Sequence, residues 1–191
     1  GPMAMDRIED RLEIQQVLYR YARGVDRRDW DLVRSTYHPD GYDDHGNYKG
    51  GIDGFIASLE KRHATVEQSM HVLANCLIEF AGADRALVET YFSTYQRVSP
   101  AAGDARKVYL RGQTIGDDEA VEGTVYGRYV DVFERRAGEW RVFKRTVVFE
   151  VYKGAPAPAG GGMPESWTRA SRDGDDPVEQ LQRSVWVSPY Y

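Results

Sequence analysis

The sequence predicts an α+β fold in which three N-terminal helices pack on a strongly curved, mostly antiparallel sheet. Apolar residues recur at spacings of three and four as far as residue 64, and the pattern then stops. From residue 68 to 152 the chain consists of long runs rich in Val, Tyr, Phe and Thr, divided by Gly- and Asp-containing turns. The turn Arg136-Ala137-Gly138-Glu139 joins two of these runs as a hairpin. Helices first and strands afterwards is the order of an α+β architecture.

The first helix is expected over 6–25, where Ile8, Leu12, Ile14, Val17, Leu18, Tyr21 and Ala22 form one apolar stripe and Gly24 weakens the end. Asp29 caps a second, short helix over 30–37, which Pro39 and Gly41 stop. Residues 42–50 read as a short strand or turn. Helical spacing returns over 51–64 through Ile52, Phe55, Ile56 and Leu59. Long strands are expected at 68–80, 86–98, 120–135 and 139–152, with 99–119 an irregular insertion of a length that is often functional. Beyond residue 152 the chain becomes a Gly-, Ala- and Pro-rich tail. Trp167, Val185, Trp186, Tyr190 and Tyr191 make it too apolar for a purely solvated segment, so it is expected to pack on its own domain or on a neighbouring subunit. A plain linker is the simpler alternative.

The chain has 191 residues, 41% hydrophobic and 29% charged, an ordinary composition for one globular domain. That domain is expected over 3–153, with 154–191 an extension and Gly1-Pro2 a scar of tag removal. A net charge of -5 offers no basic footprint, so nucleic acid and anionic membranes are unlikely partners. No apolar run is long enough to span a bilayer and no leader pattern is visible, so a cytoplasmic protein is expected. The lone Cys76 sits in the apolar run 72–80 and reads as a buried thiol rather than a nucleophile.

Two residues stand out as chemistry. Asp26 ends the first helix and His71 opens the first long strand. A carboxylate that accepts a hydrogen bond from one imidazole nitrogen fixes the tautomer and raises the basicity of the other, which gives a general base near neutral pH. Taken singly, Asp26 is also a good helix-terminus residue and His71 a good core histidine. A second cluster, Asp43-Asp44-His45-Gly46, contains potential ligands, but neighbouring residues of a strand face opposite ways. No metal site is therefore expected there, and one inward member, Asp44 or His45, is a candidate to assist as acid or base; a solvated turn is the plainer reading. Asn75, four residues after His71, shares its face if the strand is undistorted. On the next strand either Glu89, Tyr91, Ser93, Tyr95 and Arg97 or Val88, Thr90, Phe92 and Thr94 line the interior. The sequence has 13 tyrosines, and a cavity walled by Tyr37, Tyr48, Tyr91 and Tyr95 would suit an aromatic guest.

Three stretches carry a family resemblance: Gly24-Val25-Asp26-Arg27-Arg28-Asp29-Trp30-Asp31-Leu32, Asp44-His45-Gly46-Asn47-Tyr48-Lys49-Gly50, and the hairpin from Tyr129 to Arg145. Over roughly 6–152 the chain resembles the SnoaL-like branch of the nuclear transport factor 2-like superfamily. It is similar in particular to scytalone dehydratases and hexachlorocyclohexane dehydrochlorinases. The resemblance implies a cone-shaped, barrel-like sheet and a catalytic dyad at the matching positions Asp26 and His71. It also implies a pocket arginine at Arg145, able to stabilise a developing anion. The dehydrochlorinases carry a lysine where this chain has Tyr21, which argues against halide elimination and offers a hydroxyl to a substrate oxygen. No cofactor is implied. The expected activity is that of a lyase on a hydrophobic, aromatic, hydroxylated small molecule, by dehydration or by retro-aldol cleavage releasing a small aldehyde. Isomerisation or cyclisation by the same proton transfers stays open. The same scaffold carries noncatalytic hydrophobic-ligand binders and the β-subunits of ring-hydroxylating dioxygenases, so a binding or structural role is the alternative. Assembly as a homotrimer or homodimer follows from the resemblance alone.

Overall fold

In a computed structural model, the structure describes residues 6–158 and 162–185. Gly1-Pro2, Trp186, Tyr190 and Tyr191 lie outside the described residues.

Helix α1 spans Ile8–Arg27 and buries Ile14, Val17, Leu18, Tyr21 and Ala22 of the expected stripe together with Val25, whereas Ile8 and Leu12, in its first turns, are exposed. It continues past Gly24 and ends in a left-handed turn at Arg28. Gly24 is there for a close approach: a Cβ at this position would meet Val33 Cγ2 at 2.7 Å. The glycine lets α2, Trp30–Ser35, lie against α1 rather than weakening it. Asp29 caps α2 by accepting the Leu32 backbone N–H at 3.0 Å.

The chain then enters β1, Tyr37–Asp44, instead of continuing the helix to Tyr37. The reason is tertiary. Val142 N donates to Thr36 O, and β1 pairs in parallel with β6, so the pairing overrides local preference. Strand β2, Lys49–Gly51, closes a short hairpin, and α3, Ile52–His63, follows. The long strands are β3 (Val66–Phe80), β4 (Arg85–Val98), β5 (Ala120–Arg136) and β6 (Glu139–Ala157). Strand β6 runs five residues beyond the expected end at 152, because Ala120 to Thr124 of β5 still pair with Lys153 to Ala157. The sheet order is β2-β1-β6-β5-β4-β3, antiparallel except for β1 with β6. It is a curved but open sheet, with β2 and β3 as its two edges.

The main core lies between the helices and the inner face: Leu18, Tyr21, Phe55 and Ile56 meet Val88, Phe92, Tyr129 and Trp140. The insertion after β4 forms a 3-10 helix, Pro100–Tyr109, and makes a second core of Val66, Val98, Tyr109, Leu110 and Val121. Tyr109 lies on a pair of glycines that are in register on adjacent strands, Gly123 and Gly154; a Cβ on either would sit 2.6 Å and 2.4 Å from it. The tail contains a helix that the sequence reading did not anticipate, α4 at Pro177–Val185, with Leu181 and Val185 exposed. Among the described residues no helix is long and apolar enough to cross a membrane.

Candidate active site

A cavity of about 50 Å³ opens between α1, α3 and the inner face of the sheet. Tyr21 and Val25 come from α1, Leu59, Arg62 and His63 from α3, and Phe92, Thr94 and Gln96 from β4. His71, His45, Tyr109 and Tyr129 complete its polar lining, and the exposed Phe149 and Arg62 border it.

The last turn of α1 places Asp26 against the start of β3. Asp26 Oδ1 stands 2.6 Å from His71 Nδ1 and accepts from Ser69 Oγ at 3.0 Å, while Oδ2 accepts the His71 backbone N–H at 2.8 Å. The carboxylate is thus held by three groups of one strand. A carboxylate accepts only, so His71 Nδ1 carries the proton and Nε2 presents its lone pair. Behind this pair, Gln96 reaches Ser69 Oγ at 3.4 Å, and its carbonyl accepts from Arg62 at 2.8 Å and from the Tyr109 hydroxyl at 3.0 Å.

A second imidazole has the same support. His45 Nδ1 lies 2.8 Å from Asp43 Oδ1, and the other oxygen of Asp43 accepts from the Tyr37 hydroxyl. Asp43 is fully buried. It was missed as a functional residue, although Asp43 and His45 are two apart and so share a strand face. Asp44 points the other way: it is half-buried, 3.8 Å from Lys49 Nζ and bonded to Gly46 N. Of the two candidates in that cluster, His45 is therefore the inward one.

Tyr21 lines the cavity, edge-on to His71 with ring centroids 6.4 Å apart. Burial pushes its hydroxyl pKa upward, with the nearby Arg145 guanidinium pulling the other way, so it is a donor at neutral pH.

Several expectations need correction. Arg145 does not border the cavity. Its Nε and Nη2 donate to Asp131 Oδ1 and Oδ2 at 2.8 and 2.9 Å, and its guanidinium carbon lies 4.0 Å from the Tyr129 ring centroid and 4.4 Å from that of Tyr21. Nη1 has no partner among the described residues. Burial pushes the Asp131 carboxyl upward and Arg145 opposes this, while Asp131 holds the guanidinium charged against its own burial. The arginine is a sealed counter-charge behind two tyrosines.

Asn75 is exposed because β3 shifts register between Leu73 and Cys76, which turns Asn75 out and Cys76 in. Tyr91 and Tyr95 are on the outer face of β4, Tyr91 exposed and Tyr95 donating to Glu122. The interior set is Val88, Thr90, Phe92, Thr94 and Gln96. Tyr48 packs on Phe55 and donates to Gly51 O at 2.7 Å, outside the cavity lining. Tyr37 is buried beneath, serving Asp43.

His63 was not anticipated. At the end of α3 it reads as one of three basic last-turn residues, yet it lies four after Leu59 and seven after Ile56, on the apolar face. Among the described residues no group of three or more His, Cys, Asp or Glu is arranged to hold a metal ion.

Residues 6–146 match the SnoaL-like domain family. The uncharacterized protein Rv2910c of Mycobacterium tuberculosis is 30% identical over 145 residues, 75% of this chain and 87% of the relative. Among solved structures, a scytalone dehydratase-like protein from Novosphingobium aromaticivorans superposes with a TM-score of 0.63 at 17% identity, covering 84% of this chain and 100% of the other. A hexachlorocyclohexane dehydrochlorinase from Novosphingobium barchaimii gives 0.62 at 18%, covering 85% and 99%. At these identities the two structures share the fold with this chain.

Proposed function

We propose, for a chain that belongs to the SnoaL-like domain family, that the cavity is the site of a lyase working by proton transfer, with His71 as general base and Asp26 as its support. The observation that carries this reading is the double engagement of His71 by Asp26, at Nδ1 and at the backbone N–H. Such an imidazole is oriented before substrate arrives and can take a proton on Nε2, with the carboxylate stabilising the imidazolium that forms.

The remaining lining fits a small oxygenated aromatic molecule. Phe92 and Tyr129 stack at 4.3 Å and give an aromatic wall, while Tyr21 and Thr94 give polar contacts. His45, backed by Asp43, is the second proton carrier. For a dehydration, His71 removes a proton from carbon, the electron pair forms the double bond, and the departing hydroxyl takes the Nε2 proton of His45 in its imidazolium form and leaves as water; the proton gained by His71 then returns through solvent to His45. For a retro-aldol cleavage, His71 removes the hydroxyl proton, the neighbouring carbon-carbon bond breaks, and an aldehyde leaves. The electron pair left on carbon is then protonated or expels an adjacent hydroxyl. Sites for molecules of this kind measure about 300 Å³ or more. Substrate entry therefore requires the bordering Phe149 and Arg62 side chains to move aside.

The test is an absorbance and aldehyde-release screen with aryl alcohols, diarylpropane diols and hydroxyketones, comparing wild type with Asp26→Asn and His71→Ala. A new conjugated chromophore that both folded variants fail to produce supports the dyad, and aldehyde separates cleavage from dehydration. Turnover that persists in His71→Ala rejects it. Tight binding without turnover moves the assignment to a ligand-binding protein.

A further inference from the structure

Three imidazoles line the cavity, and their Nδ1 atoms are engaged by groups of opposite charge. His71 and His45 are backed by the carboxylates Asp26 and Asp43, whereas His63 Nδ1 lies 2.8 Å from Arg172 Nη2. Arg172 belongs to the C-terminal extension, beyond the residues that match the family. Arg172 as a residue is 8% exposed, and its guanidinium also donates to three main-chain carbonyls: Nε to Asp26 O at 2.8 Å, Nη1 to Val66 O at 2.7 Å and Nη2 to Val25 O at 2.9 Å. The segment carrying it is fastened by Arg27, which donates to Ser171 O at 2.6 Å and Asp176 Oδ2 at 2.7 Å.

A guanidinium donates and never accepts. The lone pair of His63 must therefore be on Nδ1 and its proton on Nε2. A second proton would face Arg172, Arg62, Arg28 and His71, and burial reinforced by these charges pushes the pKa of His63 down to about 2. The ring stays neutral throughout the physiological range. Among the described residues its Nε2–H has no hydrogen-bond acceptor. An N–H of this kind, held neutral, is suited to an oxygen that gains negative charge, because it stabilises the oxygen without surrendering its proton.

We propose that Arg172 is a positioning residue which makes His63 the cavity's neutral hydrogen-bond donor for a carbonyl or enolate oxygen of the substrate. This rests on the reading of the cavity as a lyase site, and it supplies the oxygen-stabilising group that Arg145, sealed behind Tyr21 and Tyr129, does not provide. It also narrows the substrate to molecules that carry such an oxygen beside the reacting carbon.

Nitrogen NMR of the histidine-labelled full chain tests the positioning directly, with His63→Gln used for assignment. In wild type the His63 signals are expected to show the Nε2–H tautomer and to stay unchanged from about pH 8 to about pH 5. In Arg172→Met they shift toward a tautomer mixture and titrate, and Arg172→Lys restores the wild-type pattern in part. A wild-type His63 that carries its proton on Nδ1, or that titrates in this range, overturns the proposal, as does an Arg172→Met spectrum with the tautomer unchanged. Should Arg172→Met fail to fold, the wild-type spectrum still decides.

The donor role is read by equilibrium titration with para-hydroxyacetophenone against para-ethylphenol, which lacks the carbonyl. Wild type is expected to favour the ketone; His63→Leu weakens ketone binding about tenfold with the phenol unaffected, and His63→Gln recovers most of the loss. Equal affinities, absence of saturable binding, or an unchanged His63→Leu variant overturns the donor role. None of these readings involves His71, so turnover surviving in His71→Ala would sink the dyad while leaving them interpretable.

Discussion

Asp26 grips His71 at two points, 2.6 Å from the ring Nδ1 and 2.8 Å from the backbone nitrogen. The imidazole is fixed in rotation as well as in tautomer. An amide in place of the carboxylate can accept at one point only by presenting its NH₂ to a donor at the other. Asp26→Asn is therefore expected to lower kcat by about a hundred- to ten-thousand-fold with the circular dichroism of the fold retained. A loss smaller than tenfold would show that orientation by Asp26 is dispensable.

The outer face of the sheet gives the matching negative expectation. Asn75→Ala, Tyr91→Phe and Tyr95→Phe alter groups that point away from the cavity. Each should leave kcat/KM within about twofold and stability within about 0.5 kcal/mol. A large kinetic effect of Tyr91→Phe or Tyr95→Phe in dilute protein would place the site on the wrong side of β4.

Asp131 and Arg145 form a bidentate pair in which both side chains have 0% exposure. Asp131→Ala strands a guanidinium that already has an unpartnered Nη1. The expected loss is about 3 to 5 kcal/mol in chemical denaturation. Replacing both partners together with apolar residues should cost less than Asp131→Ala alone, since no buried charge is then left over.

The depressed pKa of His63 sets an acid limb of stability. Burial and the surrounding guanidinium charges keep the ring neutral in the folded state down to about pH 2, while the unfolded chain takes up a proton from the ordinary imidazole value of 6.5 downward. Stability from this group is complete above that value and falls as pH falls, because the unfolded state binds more protons. Between neutrality and pH ~5 the loss is on the order of 2 kcal/mol. His38, shifted down by burial, acts in the same direction. Denaturation curves of His63→Gln should show a shallower acid limb than wild type, and an identical slope would contradict the buried neutral ring.

Much of the fold is legible in the sequence because the helix stripes and the hairpin at Ala137-Gly138 are local patterns. The pairing of Asp26, in the last turn of α1, with His71, in the first half of β3, was legible for another reason: a resemblance supplied it. What escaped depends on distant contacts. Strand β1 carries Pro39 and Gly41 and exists because β6, a hundred residues later, pairs with it. Asn75 was misplaced by an irregularity that no periodicity reveals. Arg172 lies 109 residues from His63 in a stretch of Ser, Arg, Asp and Gly that reads as plain tail. Asp43 was within reach, since its two-residue spacing from His45 needs only the alternation of a strand.

The register shift in β3 divides one strand into two reading frames. Upstream, the odd positions Ser69, His71 and Leu73 look inward; downstream, the even positions Cys76, Ile78 and Phe80 do. The two residues Ala74 and Asn75 together face Tyr91 alone, so both ends of the strand keep one inner face while the sequence changes parity between them. Deleting either one restores plain alternation, with His71 still inward beside Asp26 and Ile78 still inward in the core. A deletion scan of this edge strand should therefore find these two positions more tolerant than their neighbours.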